Sequence, residues 1–303
     1  MTAVVITGSG LVRETAPPDA GPGAWFDPVP LLGRRGWKYL TLATRYLLGA
    51  THLAVNDAGL DPAGFPDESM GVVVGTNFAA LPVFSRITRI VVSEGPEMIS
   101  PAEAPNFSVN IPASTISMRY GMRAFNITLT NPMVAGLESV LTLSMAIRQR
   151  RARLGVAGAT EERPDNRRIY EGACCFVMEP VDEVTRREAV AKATVAGGWC
   201  RFSPPGNGLR ALRDPLSRLI GQSGDDVCYA VAADGDIDSR LDELCQQTAD
   251  RMGIRMRRMG EVDGRYVSVS PMLHLAEQIA AGQHGLVLAA SGHGHVAALR
   301  LTR

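Results

Sequence analysis

Residues 71–75, GVVVG, are apolar throughout and too short for a typical helix, so they read as a fully buried strand. Strand-like runs recur at 125–130, 154–159, 173–178, 189–195, 227–232, 266–269, 285–290 and 296–301. Helical patterns fall between several of them. In residues 38–58, Leu40, Ala43, Leu47, Ala50 and Ala54 keep the spacing of one helix face, and Gly59 supplies a stop. A second helix begins near Val134 and carries Leu137, Val140, Leu141 and Ile147. This alternation predicts an α/β protein in which helices cover packed sheets. No short repeat is visible at the residue level.

The chain has 303 residues, of which 46% are hydrophobic and 20% charged, as expected for a soluble globular protein of one large domain or two fused halves. Its 31 basic residues balance 31 acidic ones, so no electrostatic footprint for nucleic acid or an anionic membrane exists. No apolar run approaches the ~18–20 residues of a membrane-spanning helix. The opening MTAVVITGSG reads as a strand and a glycine turn rather than a signal peptide, and a cytoplasmic location is expected. Arg148, Arg150, Arg151 and Arg153 complement the dipole at the end of the second helix and face solvent.

The five cysteines, Cys174, Cys175, Cys200, Cys228 and Cys245, are odd in number and lack zinc-like pairing. They are expected to be reduced and mostly buried, with Cys174 and Cys175 on opposite faces of a strand. The HGH of residues 293–295 reads as a glycine loop rather than a metal site, and no phosphate-cradling or dinucleotide fingerprint occurs. The polar, proline-bearing residues 159–172 are expected to connect two halves, 1–165 and 166–303. A loop over a surface or cleft mouth is expected at 197–208, GGWCRFSPPGNG.

Residues 128–136, TLTNPMVAG, form a tight strand-to-helix turn. Turns of this kind expose a nucleophile at a helix N-terminus, whose dipole favours negative charge. The side chain offered is that of Met133. A thioether has no proton to lose and yields no thiolate, so a covalent step at this position is unavailable.

Several segments, in this order and spacing, resemble the β-ketoacyl synthase family, the condensing enzymes of fatty acid and polyketide synthesis. They are VVITGSG near the start, RRGWKYLTLATRYLLGATHLAVNDAGL (34–60), GVVVGTNF (71–78), PNFSVNIPASTISMRYGMRAFNITLT (105–130) and SGHGHVAALRLTR at the end. The resemblance runs over most of the chain and implies a thiolase-like, layered αβαβα fold made of two similar halves. In the family the turn carries a cysteine that takes the acyl chain, and two histidines assist decarboxylation of a malonyl unit. An ungapped match puts Met133 at the cysteine. Ala233, in AADGD (232–236), falls at or next to the first histidine's place. His274 stands for the second, and Val269 and Leu273 replace the lysine and glycine expected just before it. Loops around the site are shorter than in a typical member.

Loss of the nucleophile together with a base resembles a chain length factor, the non-catalytic partner that heterodimerises with a catalytic ketosynthase in type II polyketide systems. Such a subunit shapes the tunnel for the acyl chain and needs neither cofactor nor metal. Glutamine is usual at the cysteine position, and a branch making reduced or polyene chains accommodates the departure to Met133. The resemblance places interface and gate in residues 105–115, with Phe107, Asn110, Ile111 and Thr115, together with Met133, as tunnel and interface candidates. Met133 would then act as an apolar plug in the old pocket. An acyl carrier protein would dock mainly on the partner. Two alternatives stay open: an acyltransferase or decarboxylase of unusual mechanism using Cys174, Cys175, Cys200 or His274, and a homodimeric acyl-binding protein.

Overall fold

Among the described residues the elements follow in the order β1 (Val4–Arg13), α1 (Val29–Leu32), α2 (Leu42–Asp57), β2 (Met70–Gly75), α3 (Leu81–Ser93), α4 (Ile111–Tyr120), β3 (Phe125–Leu129), α5 (Ala135–Arg148), β4 (Leu154–Glu161), β5 (Gly172–Pro180), α6 (Val181–Arg186), β6 (Ala193–Phe202), α7 (Arg213–Ile220), β7 (Asp226–Ala233), α8 (Asp236–Met252), β8 (Arg255–Arg258), α9 (Ser270–Ala280), β9 (Gly285–Ala290) and β10 (His295–Thr302). This computed structural model describes residues 2–15, 21–204, 207–221, 226–233, 236–260, 262–283 and 285–303.

The strands lie in the order β3-β2-β4-β5-β1-β6-β10-β9-β7-β8. The first five strands and the last five have one topology. In each set the second strand runs parallel to the third and fourth, and the fifth runs antiparallel to the fourth and first. The sets join at β1 and β6, where Val5 pairs with Thr194 and Ile6 with Ala193.

Apolar faces make five layers from this pairing. Helices α2 and α4 cover the outer face of the first set, burying Tyr46, Leu47, Ile116 and Val72 in one cluster. Helix α5 touches both sets and, with α9, forms the middle layer around Leu137, Leu143, Leu273 and Phe176. Helices α7 and α8 close the far side over Tyr229, Leu241 and Leu288. Helix α2 lies so close on β1 that a Cβ at Gly10 would stand 1.9 Å from the Ala50 carbonyl oxygen, a distance only glycine permits. Cys174 faces the middle cluster and Cys175 the outer one, on opposite faces of β5 as the alternation of a strand requires.

Three local expectations are corrected. Residues 266–269 are not a strand but part of a 3-10 segment, Gly264–Val269, that is broken by a kink at Val267, whose φ is 51°. Asp263 caps that turn by accepting the Arg265 N–H at 2.9 Å, and Pro271 opens α9, so the chain turns inward before any strand could pair. Residues 197–202 continue β6, because β10 offers a partner along its whole length. Residues 159–172 connect β4 to β5 within the first set rather than joining two sets, since β5 pairs with both β4 and β1. The boundary at 165/166 falls inside that connection, whereas the strand repeat turns over between β5 and β6.

Candidate functional site

Three parallel strands, β3, β2 and β4, end side by side and deliver Thr130, Thr76 and Glu161 to one edge. The turn that follows β3 is held by its neighbours. The Asn77 amide donates to the Thr130 carbonyl at 3.0 Å and accepts the Met133 N–H at 3.2 Å. Within the turn, Val134 N–H donates to the Pro132 carbonyl at 2.7 Å and Ala135 N–H to the Asn131 carbonyl at 3.1 Å. The Asn131 amide donates to both Glu138 oxygens at 2.9 and 2.8 Å. Those bonds hold Met133 at φ 62°, a conformation that costs a residue with a side chain about 1–3 kcal/mol unless its surroundings enforce it. Its side chain is 2% exposed and packs with Phe78, Ile169 and Val267.

Glu161 is the polar hub beside this turn. Its carboxylate accepts the Asn77 and Phe78 N–H groups, each at 2.8 Å, and the Ser268 hydroxyl. Burial pushes its carboxyl up to about 7, against the opposing pull of those hydrogen bonds. Neither Glu161 nor Asn77 stood out in the sequence. The available signal was a carboxylate closing an otherwise apolar strand, LGVAGATE.

Of the other two positions in the family comparison, Ala233 ends β7 and His274 stands on α9 against that strand. Ala233, half buried, lines a cleft of about 460 Å3 with Asp238, Arg258 and Asp263. Arg258 bridges Asp238 at 2.7 Å and Asp242 at 3.1 Å, so an ion-pair network occupies this strand end. Residues 234 and 235 of AADGD lie outside the described residues. His274 is 2% exposed, hydrogen-bonds the Val231 backbone, and leaves Nε2 without a partner. Burial lowers its pKa to about 4, so it is neutral at pH 7. The structure therefore holds His274 on the β7 side, while Met133 packs on Phe78, Ile169 and Val267.

The interface candidates lie at the entrance to α4. Phe107 is 46% exposed and meets Phe84 of α3 edge-on, with ring centroids 4.2 Å apart. Asn110 is exposed and donates to Ser114 Oγ at 3.3 Å. Ile111 and Thr115 are half buried, and the Thr115 hydroxyl donates to the Ile111 carbonyl at 2.8 Å. Cys174, Cys175, Cys200 and Cys245 give no ready nucleophile. Burial raises Cys174 well above the usual range, Cys175 to about 12, and Cys245 as well, while Cys200, a more exposed residue, is raised by desolvation of its thiol and by the charge of neighbouring Glu138. His293 and His295 flank Gly294 between β9 and β10, and the His295 ring meets Phe202 edge-on.

Residues 32–197 match the family model described as Beta-ketoacyl synthase, N-terminal domain. The 3-oxoacyl-[acyl-carrier-protein] synthase 2 of Coxiella burnetii is 22% identical over 204 residues, which cover 57% of this chain and 49% of that protein. The chain thus spans about half the length of this curated relative. A putative polyketide beta-ketoacyl synthase 2 of Streptomyces halstedii is 25% identical over 307 residues, covering 86% of this chain and 73% of its own. The ishigamide ketosynthase/chain length factor superposes with a TM-score of 0.80 at 19% identity over 99% of both chains. AntDE:AntF, a type II PKS acyl-carrier protein in complex with its ketosynthase, superposes with a TM-score of 0.84 at 18% identity, again over 99% of both. Those two likenesses establish the thiolase-like fold, and the family model covers more than half of the sequence. This chain belongs to the β-ketoacyl synthase family.

Proposed function

We propose that the chain is a chain length factor-like subunit that pairs with a catalytic ketosynthase and shapes the cavity for the growing acyl chain in type II polyketide synthesis. Met133 carries this reading. The turn keeps a strained backbone, pinned by Asn77, yet presents a thioether that forms no acyl bond. The first family histidine is absent at Ala233, and His274, which stands for the second, is a neutral, buried residue tied to β7. A ketosynthase/chain length factor and a ketosynthase with its carrier protein are among the structural neighbours, which supports pairing of the same kind here.

Strand β3 supports the pairing physically. It is an edge strand of the sheet, and Phe125, Ile127 and Leu129 on it are half buried. Exposed Phe107, Val109 and Met118 lie on the preceding segment and on α4, beside it in the fold. An open, apolar edge of this kind is satisfied by a partner strand. In this reading Phe107, Asn110, Ile111 and Thr115 belong to the interface and tunnel, Met133 plugs the old pocket, and an acyl carrier protein docks mainly on the partner. The two five-strand sets serve as the two halves of the subunit, which works in the cytoplasm.

Co-expression with a ketosynthase that retains its cysteine and histidines, together with a carrier protein and malonyl units, tests the proposal by mass spectrometry of products and of both proteins. Elongation is expected to stop when the partner's cysteine is replaced by alanine, to survive Met133→Ala, and to give altered chain length with Phe107→Ala. An acyl thioester found on the present chain would overturn the reading.

A further inference from the structure

On the outer face of the second half, far in sequence from the Met133 turn, α7 and α8 enclose a cleft of about 480 Å3. Arg240, Glu243, Gln247 and Arg251 stand on one face of α8 at i, i+3, i+7 and i+11, and Arg213 and Arg210 come from α7 and the turn before it. Among the described residues, four guanidinium groups therefore line the cleft against one carboxylate. Glu243 accepts the Gln247 amide at 2.8 Å, and Gln247 in turn accepts Arg213 Nη2 at 3.3 Å. Arg213 Nε is buried with no acceptor. A buried donor without a partner carries a desolvation cost that an arriving acceptor removes.

Arginines elsewhere in this electrically neutral chain are handled differently. Arg153, Arg163, Arg187 and Arg258 each reach a glutamate or aspartate. In the cleft, Arg210, Arg213 and Arg251 have no carboxylate within ion-pair distance among the described residues. The cleft also opens on a smaller chamber of about 130 Å3, which shares Leu209 and Arg240 with it and has walls from Ile237 and Val296. Ser203 lines this chamber, is 6% exposed, and its hydroxyl has no hydrogen-bond partner. The two spaces thus present unanswered polar atoms twice, at Arg213 Nε in the cleft and at Ser203 Oγ in a mostly apolar chamber.

We propose that the α7–α8 cleft binds a small phosphorylated molecule. Its phosphate groups lie among Arg210, Arg213 and Arg251, whose planar forks suit phosphate oxygens, and a compact uncharged part enters the chamber beside Ser203. No bond is made or broken in this site. It is independent of the reading of the Met133 turn, since the outer helical layer separates it from the middle layer where α5 begins.

Isothermal titration calorimetry of the full chain with pyrophosphate, ADP and coenzyme A at physiological salt tests the site. Pyrophosphate alone binding as well as the other two assigns a bare phosphate site, and tighter binding of ADP or coenzyme A assigns the chamber to the attached body. Arg251→Gln, on an exposed side chain that leaves the fold intact, is expected to weaken binding at least about tenfold, and Arg213→Gln likewise. Ser203→Ala is expected to weaken only the probes that carry a body. No binding by any of the three, binding indifferent to Arg251→Gln and Arg213→Gln, or an acidic carrier protein as the only species lost with Arg251→Gln, would each overturn the proposal.

Discussion

Segments β3–turn–α5 and β8–turn–α9 occupy the same place in the two halves, and they differ in what their edges and turns are built to do. Strand β3 reads FNITL and leaves a free apolar edge, whereas β8 reads RMRR and blunts the opposite edge with charge. Both turns hold a residue with a side chain in the left-handed region, Met133 at φ 62° and Val267 at φ 51°, and the two side chains pack together. Glu161 ties them, accepting Asn77 and Phe78 on one side and Ser268 on the other. Equivalent strand positions thus became one surface fit for pairing and one closed to it. Around the junction the hydrogen bonds that hold the backbone persist although no nucleophile stands on it.

Removing the tie is expected to have the largest effect. Glu161→Ala strands the half-buried Asn77 and Phe78 N–H groups and the buried Ser268 hydroxyl, and should cost about 4 kcal/mol in denaturant unfolding. A loss under about 1 kcal/mol would separate the two turns and break the comparison.

Next in size is the pH response of His274, which belongs to the C-terminal half alone and faces Arg258 and Asp238. Its folded pKa, about 4, lies below the ordinary 6.5, so the unfolded chain takes the proton first as pH falls. Stability is whole above pH 6.5 and is lost between 6.5 and 4, by about 3 kcal/mol at the acid end. Glu161 and Glu162 act oppositely: both are raised to about 7, so their cost grows as pH rises from 4.5 to 7. Thermal melts of His274→Asn across this range should lack the acid loss and keep the carboxylate trend. If the chain pairs with a ketosynthase as proposed, the same variant should leave elongation by that pair within about twofold, since a role in packing involves no proton transfer.

Gly136→Ala tests the contact between the turns directly. Its Cβ would lie 2.2 Å from the Ser268 carbonyl oxygen, and the forced separation should cost about 2 kcal/mol by thermal unfolding. The smallest effect on stability belongs to the edges. Replacing Arg255 and Arg257 by valine should shift unfolding by less than about 0.5 kcal/mol, yet increase self-association in size-exclusion chromatography. An unchanged elution volume would deny that charge is what closes β8.

Most strands were legible because their apolar runs are continuous. GVVVG, the run at 154–159 and the run at 285–290 became β2, β4 and β9 nearly residue for residue. Residues 266–269, YVSV, carry the same β-favouring letters but have no free strand beside them and an Asp263 cap in front, so they turn instead. The internal repeat was invisible, since it lives in pairing order and not in residue identity. The candidate site divided in the same way. Met133 announced itself at a recognisable turn, whereas Asn77, Glu161 and Ser268 meet only after segments far apart in the chain are folded together.

The amino-acid sequence by itself determined what position 133 can never do, because a thioether's lack of an acidic proton is a property of the side chain and survives any fold. It also determined the strands, whose unbroken apolar character demands cover on both faces. Only the tertiary structure decided that Met133 and Val267 meet in strained conformations, that His274 is neutral on the β7 side, and that four arginines gather on the outer layer. Burial, strain and clustered charge depend on what lies next to a residue in space, and distance along the chain does not encode it.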